Sequence, residues 1–216
     1  MKMICLANSR KNKTHCVAGI DLETGRWIRP ISTVAHGELD ANQVMVASGL
    51  TSRQIAPLDI VQIGDLVSSP QIGQPENVLR GDTKWTLIRR AEVTEALNFV
   101  ENSGPLFYGT SHQISEVLVT SARIKKSLML IRVEAPTFFE RTYKRQLRVR
   151  FKFDGISYDL PVTDDSKWIK DAKSSPERFN NGSWLFTVSL GESWNGNRYK
   201  LIACAIRITD EDGYKE

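Results

Sequence analysis

The sequence predicts a mainly β protein with a few short helices, arranged as two barrels packed together, and three observations predict it. Short apolar runs with a period of two recur along both halves of the chain, and that period sends alternate side chains to opposite faces of a strand. Gly25 and the pair Asp154-Gly155 stand where tight connections between antiparallel strands are needed. Between the halves the period changes. Val93, Ala96, Leu97 and Val100 fall at i, i+3, i+4 and i+7, the stripe of an amphipathic helix.

In order, Lys2 to Ala7 reads as a strand and Asn8 to Lys13 as a polar, basic connection. Cys16 to Ile20 and Arg26 to Ile31 read as the arms of a hairpin closed by Glu23-Thr24-Gly25, with Gly25 supplying the positive φ of the turn. Residues 32–57 hold no sustained period. Leu58 to Val67 reads as a fourth strand and Trp85 to Ile88 as a fifth, while Ser69 to Asp82, with Pro70, Gly73, Pro75 and Gly81, reads as a loop. Gly104-Pro105 ends the first helix. Thr110-Ser111-His112-Gln113 reads as a capping box ahead of a second short helix carrying Ile114, Val117 and Leu118. These helices join the two barrels, which places the first at 1–122 and the second at 123–216.

The second half is the cleaner one. Ser127 to Val133, Gln146 to Phe153, Ile156 to Pro161, Trp184 to Leu190 and Tyr199 to Ile208 are strand candidates, and residues 165–180 leave room for a helix around Trp168 and Ile169. Three strands, a helix and two strands is the element order of an OB barrel, whose open face commonly binds oligonucleotides.

Of the 216 residues, 41% are hydrophobic and 25% charged, the balance of an ordinary globular protein. No apolar run approaches the ~20 residues that span a bilayer, and Met1 to Leu6 is too short for a secretory signal, so the expected location is cytoplasmic with no membrane partner. Cys5, Cys16 and Cys204 are an odd number set in apolar runs without metal-ligand spacing, which suits reduced thiols and predicts no metal. The net charge of +4 is unevenly spread: Arg123 to Lys152 holds ten basic residues against two acidic ones, a segment that favours a polyanion, with a solvated basic face as the alternative.

Within that segment Arg148, Arg150 and Lys152 alternate with apolar residues and share one strand face, with Lys144 and Arg145 at its entry. Such charges also guard an edge strand against pairing. Single-stranded bases need aromatic platforms, and Trp27, Tyr143, Trp168 and Trp194 are the candidates nearest polar or basic sequence; Trp85 and Trp184 read as core. Trp27 and Arg29 lie two apart on one strand face beside Arg26, which fits either a stacking surface or a buried indole with solvated cations.

No Gly-rich phosphate loop, paired-histidine helix or Gly-x-Ser-x-Gly elbow occurs. Asp164 followed by Asp171 and Lys173 loosely suggests a metal-dependent nuclease, but Asp171 and Lys173 fall where no strand pattern exists, and such sites hold their carboxylates on adjoining strands. The expectation is a binding protein without catalytic residues or cofactor.

A family resemblance adds to this reading. Asn8-Ser9-Arg10-Lys11, Gly19-Ile20-Asp21 and Thr24 to Pro30, then Leu160 to Asp164 with Trp168, Ser189-Leu190-Gly191-Glu192 and Tyr199 to Ala203, together resemble the motifs of the prokaryotic dual OB-containing domain family, in the same order. The resemblance implies two OB-type barrels, recognition of nucleic acid or a nucleotide, and an association with bacterial defence systems and their proteins; it brings no catalytic residues. The expected function is binding of single-stranded or structured DNA or RNA through Asn8, Arg10, Lys11, Arg26, Trp27, Arg29, Tyr143, Lys144, Arg145, Arg148, Arg150, Lys152, Trp168 and Trp194. The alternatives are a nucleotide sensor built on Asn8, Arg10 and Arg29, or a scaffold that binds only proteins.

Overall fold

The computed structural model describes residues 1–11, 14–33, 37–64, 66–121, 125–141, 146–164 and 166–209. The first barrel is built from β1 (Lys2–Lys11), β2 (Thr14–Asp21), β3 (Trp27–Ile31), β4 (Met45–Ser48), β5 (Thr51–Gln54), β6 (Asp59–Gln62), β7 (Leu66–Ser68), β8 (Asn77–Arg80) and β9 (Trp85–Arg90). These pair in the order β5-β4-β9-β6-β1-β2-β3-β8-β7. Next come α1 (Val93–Leu97), β10 (Gln113–Ser115) and α2 (Glu116–Thr120). The second barrel comprises β11 (Leu128–Glu134), β12 (Thr137–Arg141), β13 (Gln146–Phe153), β14 (Ile156–Pro161), α3 (Trp168–Ser174), β15 (Ser183–Trp194) and β16 (Asn197–Ile208). Its sheets run β10-β16-β15-β11 and β12-β13-β14. The protein is thus mainly β, two OB-type barrels packed together.

The predicted hairpin forms between β2 and β3. Gly25 sits at φ 67°, its N–H reaching the Asp21 carbonyl at 2.8 Å while the Asp21 N–H reaches that of Arg26 at 3.0 Å. The Asp21 carboxylate accepts from the Thr24 hydroxyl at 2.7 Å and locks the turn. Gly19 answers a different need: a Cβ there would stand 2.2 Å from the Ile4 carbonyl oxygen, so only glycine lets β1 and β2 approach. On β13 the alternation holds: Leu147, Val149, Phe151 and Phe153 are buried.

Four expectations need correction. Asn8 to Lys11 is strand, because β1 continues its ladder with β2 as far as Lys11 opposite Thr14; its polar residues are accommodated by burying Asn8 and Ser9. The stretch read as a loop contains β8, which pairs in parallel with β3. Helix α1 stops at Leu97, and the second helix is capped by the Ser115 hydroxyl, accepting from the Leu118 N–H at 3.4 Å, with Gln113 to Ser115 recruited as a strand against β16. Strand β12 was not anticipated.

Each barrel has its own core, around Trp85 in the first and around Phe138, Trp184 and Phe186 in the second. Two further clusters are shared. Ile4, Leu6 and Ile20 pack with Leu130, Leu185 and Ile208, and Ala7 and Ala18 with Leu128, Ala203 and Cys204. Polar stitches cross the same seam, among them the Thr187 hydroxyl donating to the Leu6 carbonyl at 2.6 Å. Burial on this scale, at about 25 cal/mol per Å² of apolar surface, makes the seam part of the fold.

Candidate functional site

Where β1, β2 and β3 of the first barrel face β15 and β16 of the second, the seam opens into a cleft of about 350 Å³. Its walls are mostly apolar, including Ala7, Val17, Ala18, Leu128, Leu201 and Ala203, with Ser9, Arg10, Arg29, Ser189, Glu192 and Trp194 among the polar and aromatic groups. Apolar walls with a few placed polar groups are what small-molecule and base pockets present. Arg10 and Arg29 are matched on the walls by Glu38 and Glu192, so the cleft is close to neutral.

Arg29 is the central polar residue. Parallel pairing with β8 sets its backbone opposite Asn77, and its guanidinium lies 3.1 Å from the Glu76 carboxylate, 2.9 Å from the Ser127 hydroxyl and 3.3 Å from that of Ser189. Ser127 in turn donates to Glu76. The group is buried and joins the two barrels. The solvated arginine of one sequence reading is therefore corrected: the second barrel covers the face that β3 presents.

Trp27 is half-buried and packs against both shared clusters; it does not line the cleft. Arg26 is exposed beside the turn. Asn8 is buried, donating to the Ile55 carbonyl at 2.8 Å and bonded to His15 Nδ1 at 2.9 Å. Arg10 is exposed at the cleft wall. Lys11 closes β1, and its side chain lies outside the described residues. Trp194, at the end of β15, is 67% exposed and lines the cleft.

Tyr143, Lys144 and Arg145 lie outside the described residues. The β13 cations are brought to one face as expected, but two are tied down there. Arg148 Nε donates to the Asp159 carboxylate at 2.6 Å, and Arg150 Nε reaches the same carboxylate at 3.3 Å while its guanidinium lies 4.3 Å from the Phe139 ring centroid. Lys152 is exposed. Trp168 packs edge-on to Phe138, centroids 5.6 Å apart, and stands 5.4 Å from Trp184. It lines a separate groove with Arg90, Lys167 and Arg207.

Sequence reasoning missed Glu76, Ser127 and Leu201. Glu76 had no legible signal, lying in a Pro/Gly-rich stretch. Leu201 had one: with Ser9, Thr163, Ser189 to Glu192 and Ala203 it belongs to the stretches that carry the family resemblance, and all line this cleft, as do the predicted Arg10 and Arg29. Among the described residues no three or more His, Cys, Asp and Glu side chains gather as a metal site would.

The family comparison agrees with the architecture. The dual OB-containing domain family matches residues 1–205. No curated protein matches the chain. Among solved structures, the crystal structure of the tetrameric p202 HIN2 aligns with 97% of this chain and 93% of that chain, at 7% identity and a TM-score of 0.36.

Proposed function

The chain belongs to the dual OB-containing domain family, and from that premise we propose that it binds nucleic acid, taking a single strand or an unpaired segment across the seam between its barrels with one base entering the cleft. The observation that carries this reading is Trp194, a large exposed aromatic on the wall of a base-sized, mostly apolar cleft. An indole held out of the core is a stacking platform. Arg10, which lines the same cleft, and the cations of β13 supply positive charge for phosphates. The module binds rather than catalyses. It acts in the cytoplasm as an accessory or sensor component of a bacterial defence system, in company with other proteins of that system.

A nucleotide sensor is the second reading, favoured by the way Arg29 is built into the cleft wall at the junction of both barrels. A binding screen with single-stranded DNA, single-stranded RNA, duplexes and nucleotides at two salt concentrations separates the two. A strand-binding site loses affinity linearly in log salt with a slope set by several phosphates, whereas a nucleotide pocket depends weakly on salt. Absence of binding by every nucleic acid and nucleotide would leave the protein scaffold as the function.

A further inference from the structure

Strand β16 borders two recesses. Leu201 and Ala203 line the cleft, while Lys200 lines a recess of about 510 Å³ also walled by His112, Arg141, Gln146, Arg148, Asp159 and Tyr199. Lys200 is 0% exposed. Its ammonium donates to the Gly109 carbonyl and stands 5.3 Å from the centroid of the Tyr158 ring. Among the described residues no carboxylate pairs with it. Desolvation lowers its pKa from the ordinary 10.5 to about 8.

A lysine is rarely fully buried unless it is paired, and a buried charge without a counter-ion is strongly unfavourable. Among the described residues that line it, the recess holds one acid, Asp159, already engaged by Arg148 and Arg150. Arg148 keeps donors to spare, since its Nε and Nη2 go to Asp159 and Nη1 makes a 3.4 Å contact with Gln146, while a guanidinium carries five N–H groups. Arg141 is exposed on the wall. Three permanent or near-permanent cations and a histidine therefore converge against one carboxylate.

We propose that this recess is a second binding site, distinct from the cleft, that takes a phosphoryl group, with Lys200 beneath it and Arg148, Arg141 and His112 around its oxygens. The phosphoryl group belongs either to free phosphate or to a terminal monophosphate on a nucleic-acid strand. Guanidinium groups match its geometry and the ammonium supplies a point charge.

Inorganic phosphate titrated at constant ionic strength against chloride, with binding read by calorimetry and 31P resonance, tests this on the full chain. Wild type binds phosphate; Lys200→Met loses about tenfold or more in affinity, the scale of one lost charge-assisted hydrogen bond. Arg141→Gln, at an exposed position that leaves folding intact, weakens binding in the same direction and keeps the test decisive should Lys200→Met fold poorly. A 5′-phosphorylated strand compared with its 5′-hydroxyl counterpart identifies the source: a preference that Lys200→Met abolishes marks the terminal phosphate, and phosphate binding without that preference marks the free ion. Phosphate and chloride acting alike on wild type, or phosphate affinity unchanged in both variants, overturns the proposal.

Discussion

Strands β3 and β13 look alike in sequence and stand in opposite circumstances. Each places arginines two apart from another large polar or aromatic residue, Trp27 with Arg29 on β3 and Arg148 with Arg150 on β13. On β3 the face is covered by the second barrel: Trp27 packs into the shared clusters and Arg29 is ion-paired in the seam with Glu76. On β13 the face stays open, and its arginines share Asp159 of the neighbouring strand at the surface. Period two decides which side chains share a face. Whether another barrel closes over that face is a tertiary matter the period does not carry.

The comparison breaks most sharply at Arg29. Arg29→Met leaves the Glu76 carboxylate, 5% exposed, buried without its cation, and is expected to destabilise the protein by about 3–5 kcal/mol in urea unfolding. A loss under about 1 kcal/mol would mean that the pair is solvated as a surface pair is. Trp27→Ala comes next, removing a half-buried indole from both shared clusters for about 3 kcal/mol, the low end for aromatic truncation; a shift within about 0.5 kcal/mol, the range of ordinary surface substitutions, would return Trp27 to the surface.

The β13 side is expected to respond in binding more than in stability. Arg148→Glu with Arg150→Glu sets two carboxylates beside Asp159 and costs about 1 kcal/mol of stability, while flattening the salt dependence of oligonucleotide affinity by about one to two phosphates. Unchanged affinity and slope in the folded double variant would remove this face from the interface. Arg150→Gln alone is the smallest change, within about 0.5 kcal/mol in stability, measurable as an unshifted urea midpoint; a loss like that of Arg29→Met would erase the distinction between the strands.

Legibility followed the same division. The β2–β3 hairpin and the run from β13 to β14 were readable because turn chemistry and alternation are local: Gly25 and Asp154-Gly155 take positive φ as their positions require. Strand β8 was not, since it pairs on one side with β3, far off in sequence, and on the other only with the three-residue β7, and its flanking Pro and Gly residues read as loop. The apolar spacing of Ile114, Val117 and Leu118 read as one helix face, but Ile114 is buried on β10 while Val117 and Leu118 are exposed; Leu106, Phe107, Ile114 and Val119 are the residues that join the second barrel's core. At the candidate site Arg10 and Trp194 were visible as a cation and an aromatic in polar sequence. The Arg29 network was not, because Glu76, Ser127 and Ser189 reach it from three separate parts of the chain.

The central claim, that the cleft between the barrels receives a base against Trp194, is tested most directly by titrating a labelled single-stranded oligonucleotide into wild type and Trp194→Ala at fixed salt, with melting temperatures measured alongside. The expected result is a loss of about 1–3 kcal/mol in binding, roughly five- to 150-fold in Kd, with the melting temperature unmoved because the ring is 67% exposed. Equal affinities for the two proteins, both folded, would contradict it.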